Sequence, residues 1–115
     1  MKRGEVYWAV FAPRSGSEQQ GIRPALLISH DLMNQNPDWH SLIVLPISTR
    51  AKSSRLAIVP LPSGAGGLPS ASFVLCHQIT TLDRAKFRDR LGELEPEQLE
   101  AVEKGVLAAL GVYSS

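Results

Sequence analysis

The residues best suited to chemistry lie in one short stretch, Gly16-Ser17-Glu18-Gln19-Gln20-Gly21-Ile22-Arg23-Pro24, which runs straight into the apolar Ala25-Leu26-Leu27-Ile28. Two glycines bracket a hydroxyl, a carboxylate and two carboxamides, and an arginine stands at the mouth of the apolar run. A guanidinium fork matches the oxygens of a phosphate, and a carboxylate near it has the chemistry of a proton acceptor. Pro24 biases Arg23 toward extended backbone and cannot donate to a sheet ladder. The same residues also describe a plain surface turn, with Arg23 solvated or paired with Glu18. A carboxylate held by such a pair is a weaker base.

A second polar group, Ser48-Thr49-Arg50, ends the apolar segment that begins at Ser41. Its hydroxyls are hydrogen-bond donors rather than nucleophiles, because no nucleophile-elbow motif surrounds them. Strand alternation sends Ser48 and Thr49 to opposite faces, so only one of them can share a face with Arg23. His30, His40 and His77 have neither metal-ligand spacing nor a patterned partner, and they read as structural or exposed. No metal site is expected and no cofactor motif is present, including any glycine-rich phosphate loop followed by lysine. Cys76 is the single cysteine and sits in an apolar run, so it reads as a buried thiol.

The 115 residues suffice for one domain with one core, and residues 1–115 are read as such. With 43% apolar and 20% charged residues the composition is that of a globular protein, without a membrane-spanning run or a signal-type start, and a cytoplasmic location is expected. The net charge of +1 excludes a protein that grips nucleic acid by bulk positive field. The layout is uneven, however. Residues 1–92 carry eleven Lys/Arg against six Asp/Glu, and residues 93–115 one Lys against five Glu. A basic body suits an anionic ligand, while a solvated helix face explains the acidic tail equally well.

These groups need a scaffold, and the chain reads mainly as short strands. Strands are predicted from Gly4 to Val10 with Phe11 extending it, from Arg23 to Ser29, from Ser41 to Thr49, from Leu56 to Val59, from Ser72 to Cys76 and from Gln78 to Thr81. Pro46 argues for an edge or a bulge in the third. Single helical turns are expected at 31–34 and 83–87. Three glycines and three prolines make 60–69 an irregular loop. One helix follows: Pro96 suits its first position, Leu94 and Leu99 suit a hydrophobic staple, Leu99, Val102, Val106, Leu107 and Leu110 share a face, and Gly111 ends it. Five to seven short strands and a terminal helix describe a small, strongly bent antiparallel barrel, although composition alone leaves a sandwich or an OB-type barrel open.

The block Arg3-Gly4-Glu5-Val6-Tyr7-Trp8, followed in order by Gly16 to Pro24 and the apolar strand, resembles the signature of the MazF/PemK/Kid toxins, ribonuclease partners of bacterial toxin–antitoxin pairs. The likeness extends along most of the chain and is densest in its first thirty residues. It implies an SH3-like barrel closed by a C-terminal helix. It also implies a sequence-specific, metal-independent endoribonuclease that cleaves single-stranded RNA by attack of the 2′-OH, leaving 2′,3′-cyclic phosphate and 5′-OH ends. By family position Arg23 and Ser48 are the essential pair, and Glu18, the carboxylate near Arg23, is the candidate base. Ser17, Gln19, Gln20, Thr49, Arg50 and Gln78 are candidate RNA contacts. A homodimer and a MazE-like antitoxin with an acidic, apolar tail are the implied partners. Two departures are visible: the family commonly has Thr where Ser48 stands, and often a basic residue where Thr80 stands. The alternative on the same barrel is a non-enzymatic, gyrase-poisoning toxin, against which the Ser-Glu-Gln loop and Arg23-Pro24 argue. A plain SH3-like adaptor would need an aromatic peptide groove that seven scattered aromatic residues do not supply.

Overall fold

The computed structural model describes residues 1–11, 21–50 and 56–112. Within them the chain forms β1 (Glu5–Phe11), β2 (Gly21–Leu27), a helical turn α1 (Asp31–Asn34), β3 (Ser41–Ser48), β4 (Ile58–Leu61), β5 (Ser72–Leu75), β6 (Thr80–Asp83), β7 (Phe87–Glu93) and the helix α2 (Pro96–Ala109), with 3-10 turns at 65–67, 76–78 and 84–86. The pairings are antiparallel in the order β4-β5-β3-β2-β1-β7, and β6 also pairs with β3. This is the mainly β, barrel-like fold with a terminal helix that the sequence predicts.

Side-chain alternation buries both faces of the central strands. Val6, Leu26, Leu45 and Ile47 join Leu61, Leu68, Val74, Cys76, Leu94 and Val102 in a cluster on the helix side. Their neighbours along the same strands, Tyr7, Ala9, Phe11, Ala25, Leu27, Leu42 and Val44, form a second cluster with Leu82. The unbroken apolar run of β2 is thereby explained: alternate residues enter different cores.

Helix α2 begins as its sequence indicates. Glu95 and Gln98 form a capping box around Pro96, and Leu94 packs into the core beside Leu99. The helix comes down on the sheet at Gly105, where a Cβ would stand 2.8 Å from the Cys76 sulfur and 2.9 Å from Val59 Cγ2. Burial pushes the Cys76 thiol up to about 11, so it stays neutral. The apolar face does not stay covered to its end, for Leu107 and Leu110 are exposed.

Three sequence expectations are corrected. β7 was not predicted, because Phe87-Arg88-Asp89-Arg90 lacks alternation; it lies at the end of the sheet, where charged residues are tolerated and guard the edge. β4 runs two residues later than expected and includes Pro60, which an end strand accommodates. The loop after β4 is not irregular throughout. It forms a 3-10 turn that abuts β7, bridging the two ends of the sheet without a strand ladder. A Cβ on Gly67 would stand 2.0 Å from the Leu91 carbonyl oxygen, and one on Gly92 2.7 Å from the Gly66 carbonyl carbon. Glycine is required on both sides of this contact.

The β1 edge is tied to β7 by a buried carboxylate. Glu5 accepts hydrogen bonds from the Lys2 N–H, from the Tyr7 hydroxyl at 2.8 Å and from Arg90 Nε, and Tyr7 packs edge-on against Phe87, with ring centroids 5.7 Å apart. Burial opposes the charge of Glu5, yet the three donors outweigh it and hold the carboxyl below its ordinary value. The same burial, with Glu5 beside it, pushes Tyr7 up to about 12. A depressed carboxyl stabilises the fold above the unfolded pKa, and that stability is lost as pH falls through the folded pKa. Glu5→Gln should therefore cost about 1–2 kcal/mol near neutral pH, since Arg90 is half exposed. Denaturant melts should show the variant losing less stability than the parent between roughly pH 5 and pH 3.

Candidate active site

The backbone phase of β2 and β3 determines where the sheet opens. The Ile28 N–H donates to the Ile43 carbonyl at 3.0 Å, so alternate residues, Leu26 and Pro24 on β2 with Leu45 and Ile47 on β3, turn their backbone groups toward each other. Pro24 has no N–H, and the bond it would donate to Ile47 cannot form. The ladder stops at Ala25–Pro46.

Pro46 obeys the same phase with the opposite result. Its missing donor faces the other edge of β3, between the last pair with β6, Val44–Thr80, and the first with β5, Ile47–Val74. Of the expected edge or bulge, the edge is not what the structure shows: β3 is central, and its proline sits where one neighbouring strand gives way to the next.

A groove of about 150 Å³ lies where β2 and β3 part. Arg23, Ser48 and Thr49 line it, with Trp8, Ile22, Pro24 and Ile47 from the strands, and Leu68, Pro69, Ser70 and Ser72 from the segment between β4 and β5 and the start of β5. Continuing the β2–β3 register by two residues sets Arg23 opposite Ser48, on one face. Ser48 is buried, and its Oγ accepts the Arg50 N–H at 3.0 Å, which leaves its own O–H to donate. Thr49 and Arg50 are exposed beyond it.

The sequence candidates therefore separate. Arg23, Ser48 and Thr49 come together, and Arg50 follows at the rim. Gln78 lies in the 3-10 turn 76–78 against α2 and is not among the groove-lining residues. Ser17, Glu18, Gln19 and Gln20 fall outside the described residues; the strand ends on either side of them in sequence, Phe11 and Gly21, are paired with each other. The sequence reading names the loop from Pro62 to Pro69 among the likely readers of RNA bases, and Leu68 and Pro69 line the groove; Trp8 and residues 70–72 escaped it. The pairing of Ser48 with Phe73 brings the start of β5 to the groove, and no local pattern announces it.

A larger cavity, about 370 Å³, lies between Arg3, Ile28 and α2. Its arginine is engaged by Glu103 at 2.6 Å and by the Ile28 carbonyl at 3.1 Å, and the remaining lining is apolar. That arrangement binds no phosphate. Among the described residues no group of three or more His, Cys, Asp or Glu could hold a metal ion, and no helix is long and apolar enough to cross a membrane.

Residues 2–110 match the sequence profile of the PemK-like, MazF-like toxins of type II toxin–antitoxin systems. The chain belongs to that family. It is 31% identical over 113 residues to endoribonuclease EndoA of Bacillus subtilis, covering 97% of this chain and 96% of that one. It is also 31% identical over 115 residues to endoribonuclease MazF of Staphylococcus saprophyticus, covering 99% and 94%. The fold superposes on the crystal structure of MazF from Deinococcus radiodurans with a TM-score of 0.80 at 29% identity, covering 97% of each chain. A MazE–MazF structure from the same organism matches with a TM-score of 0.74.

If the missing donor of Pro24 parts the strands, Pro24→Ala should let the ladder advance by one bond. Amide exchange should then find a protected N–H at residue 24, with global stability little changed, since the gained hydrogen bond offsets the unfolded-state entropy that losing the proline restores.

Proposed function

We propose that this protein is a metal-independent endoribonuclease that cleaves single-stranded RNA at specific sequences. The observation that carries this reading is the juxtaposition of Arg23 and Ser48 across the groove between β2 and β3. The relatives named as endoribonucleases over nearly the whole chain support it.

In this reading the scissile phosphate sits between the Arg23 guanidinium and the Ser48 hydroxyl. The substrate's 2′-oxygen attacks phosphorus, its proton passes to a base, and the bond to the 5′-oxygen breaks as that oxygen takes up a proton. The products are a 2′,3′-cyclic phosphate and a 5′-OH. Arg23 acts as an electrostatic clamp, since a guanidinium gives up its proton poorly. Ser48 donates to the charge that builds on the phosphorus oxygens, which its acceptor bond from Arg50 leaves it free to do. Glu18 is the base assigned from the sequence, and Ser17, Gln19, Gln20, Thr49 and Arg50 are proposed RNA contacts. Gln78, which is not among the groove-lining residues, is proposed to contact RNA in an assembled dimer.

A groove this small holds little of an RNA strand, which favours a homodimer that extends the track. The Deinococcus MazF solved with MazE supports a cognate antitoxin as the neutralising partner of this chain.

The test is cleavage of mixed RNA in chelator with the new ends mapped. Activity should persist, and replacing the single 2′-OH at a cut site by hydrogen should stop the reaction while binding continues. Arg23→Ala should abolish cleavage in a folded protein, and Arg23→Lys should rescue poorly. Thr49→Ala should be mild, whereas Ser48→Ala should lose about 10² to 10³ in rate. Metal dependence, or cutting of the deoxy site, would contradict the mechanism.

A further inference from the structure

The groove has more surface than a phosphate needs, and most of that surface is apolar. Trp8 is half-buried and on the same face of β1 as Val6. Ile22, on the neighbouring strand, is 63% exposed, a large apolar side chain at the lip of the opening. Pro69 stands across from them.

Both walls are held in place. Trp8 and Ile22 belong to paired strands. The opposite wall hangs on Leu68, which is buried in the helix-side core and hydrogen-bonds through its N–H to Ala65 and through its carbonyl to Gly64. The turn beneath it is locked against β7 by the glycine contacts of 66, 67 and 92. Ser63 Oγ donates to the Pro69 carbonyl at 3.3 Å, and Ser72 Oγ to the Ser70 carbonyl at 2.8 Å. The segment that carries Pro69 is thus tethered on both sides.

The geometry points to a base slot: Trp8 and Ile22 on one side and Pro69 on the other receive the nucleobase adjoining the phosphate held by Arg23 and Ser48, and they admit one ring more readily than two. The inference rests on the ribonucleolytic reading of the same groove. A flat heterocycle is the ligand an aromatic face and an apolar wall accept, and stacking is insensitive to sequence except through size. The size limit comes from the volume. About 150 Å³ is well below the roughly 300 Å³ at which sites for drug-sized ligands begin, and tethered walls cannot part to enlarge it. Trp8 and Pro69 would then set base preference beside the cut, with Ser70 at the polar end of the slot.

The test uses the only other tryptophan, Trp39, which is exposed. In a Trp39→Phe protein, emission reports Trp8 alone. Titration with short oligodeoxyuridylate and oligodeoxyadenylate, which lack the attacking 2′-OH, should give saturable quenching and tighter binding of the uracil strand. Trp8→Leu should weaken binding of a labelled uracil strand by roughly 5- to 150-fold, the scale of one base–aromatic stack, and Ile22→Ser, at a site too exposed to unfold the protein, should weaken it less. On RNA, Trp8→Leu should raise KM and flatten base preference next to the cut, which a general loss of stability would not do.

Equal or tighter binding of the adenine strand would overturn the size limit. Absence of quenching, together with unchanged KM and base preference in Trp8→Leu, would overturn the slot and leave the ribonuclease reading standing. Quenching without any RNA cleavage would remove the ribonuclease reading and leave the slot.

Discussion

The missing N–H of Pro24 is the constraint on which the site depends. A sheet of this kind is closed by its ladders, and an opening between two adjacent strands has to be made by removing a bond from the series. Because Ile28 donates to Ile43, the phase of the pairing assigns the next unfilled position to residue 24. One proline there ends the β2–β3 ladder and leaves a polar face between strands that are both buried a few residues further on. Arg23 and Ser48 inherit their relationship from that register. They do not need to find each other across a flexible loop.

The rest of the molecule keeps the opening from closing or drifting. On its other edge β3 is gripped by β6 before the parting and by β5 beyond it, so its end remains a strand up to Ser48. The Glu5 network ties β1 to β7. The glycine contacts between the 65–67 turn and β7 bring the segment 68–70 to the groove. Core packing on both faces supports these arrangements, and helix α2 covers one of them. The groove therefore has fixed walls, as a site that must hold a phosphate in one orientation requires.

Much of this was legible in the sequence where local chemistry decides the outcome. The capping box and proline of α2, the two-sided burial of β2 and the arginine ahead of Pro24 all follow from residues a few positions apart. What escaped was set by distant pairing. β7 carries Arg88, Asp89 and Arg90 because it ends the sheet's strand order, and no alternation marks it. Pro46 reads as the mark of an edge or a bulge because sequence does not reveal that β3 changes neighbours there. Trp8 read only as a strand residue, since its place in the groove depends on Pro69, sixty-one residues later in the chain. Gln78 is a candidate RNA contact from the sequence, and it stands in a 3-10 turn outside the groove-lining residues.

The central claim is that the parted strands make Arg23 and Ser48 act as one unit on one phosphate. A double-mutant cycle on the cleavage rate tests it most directly, with Arg23→Lys and Ser48→Ala as single changes so that residual activity stays measurable. Groups that act together lose activity together, so the double mutant should fall clearly less than the product of the two single losses, a coupling of about 0.5–3 kcal/mol. Losses that multiply without coupling would show the two residues working on separate parts of the substrate and would contradict the account.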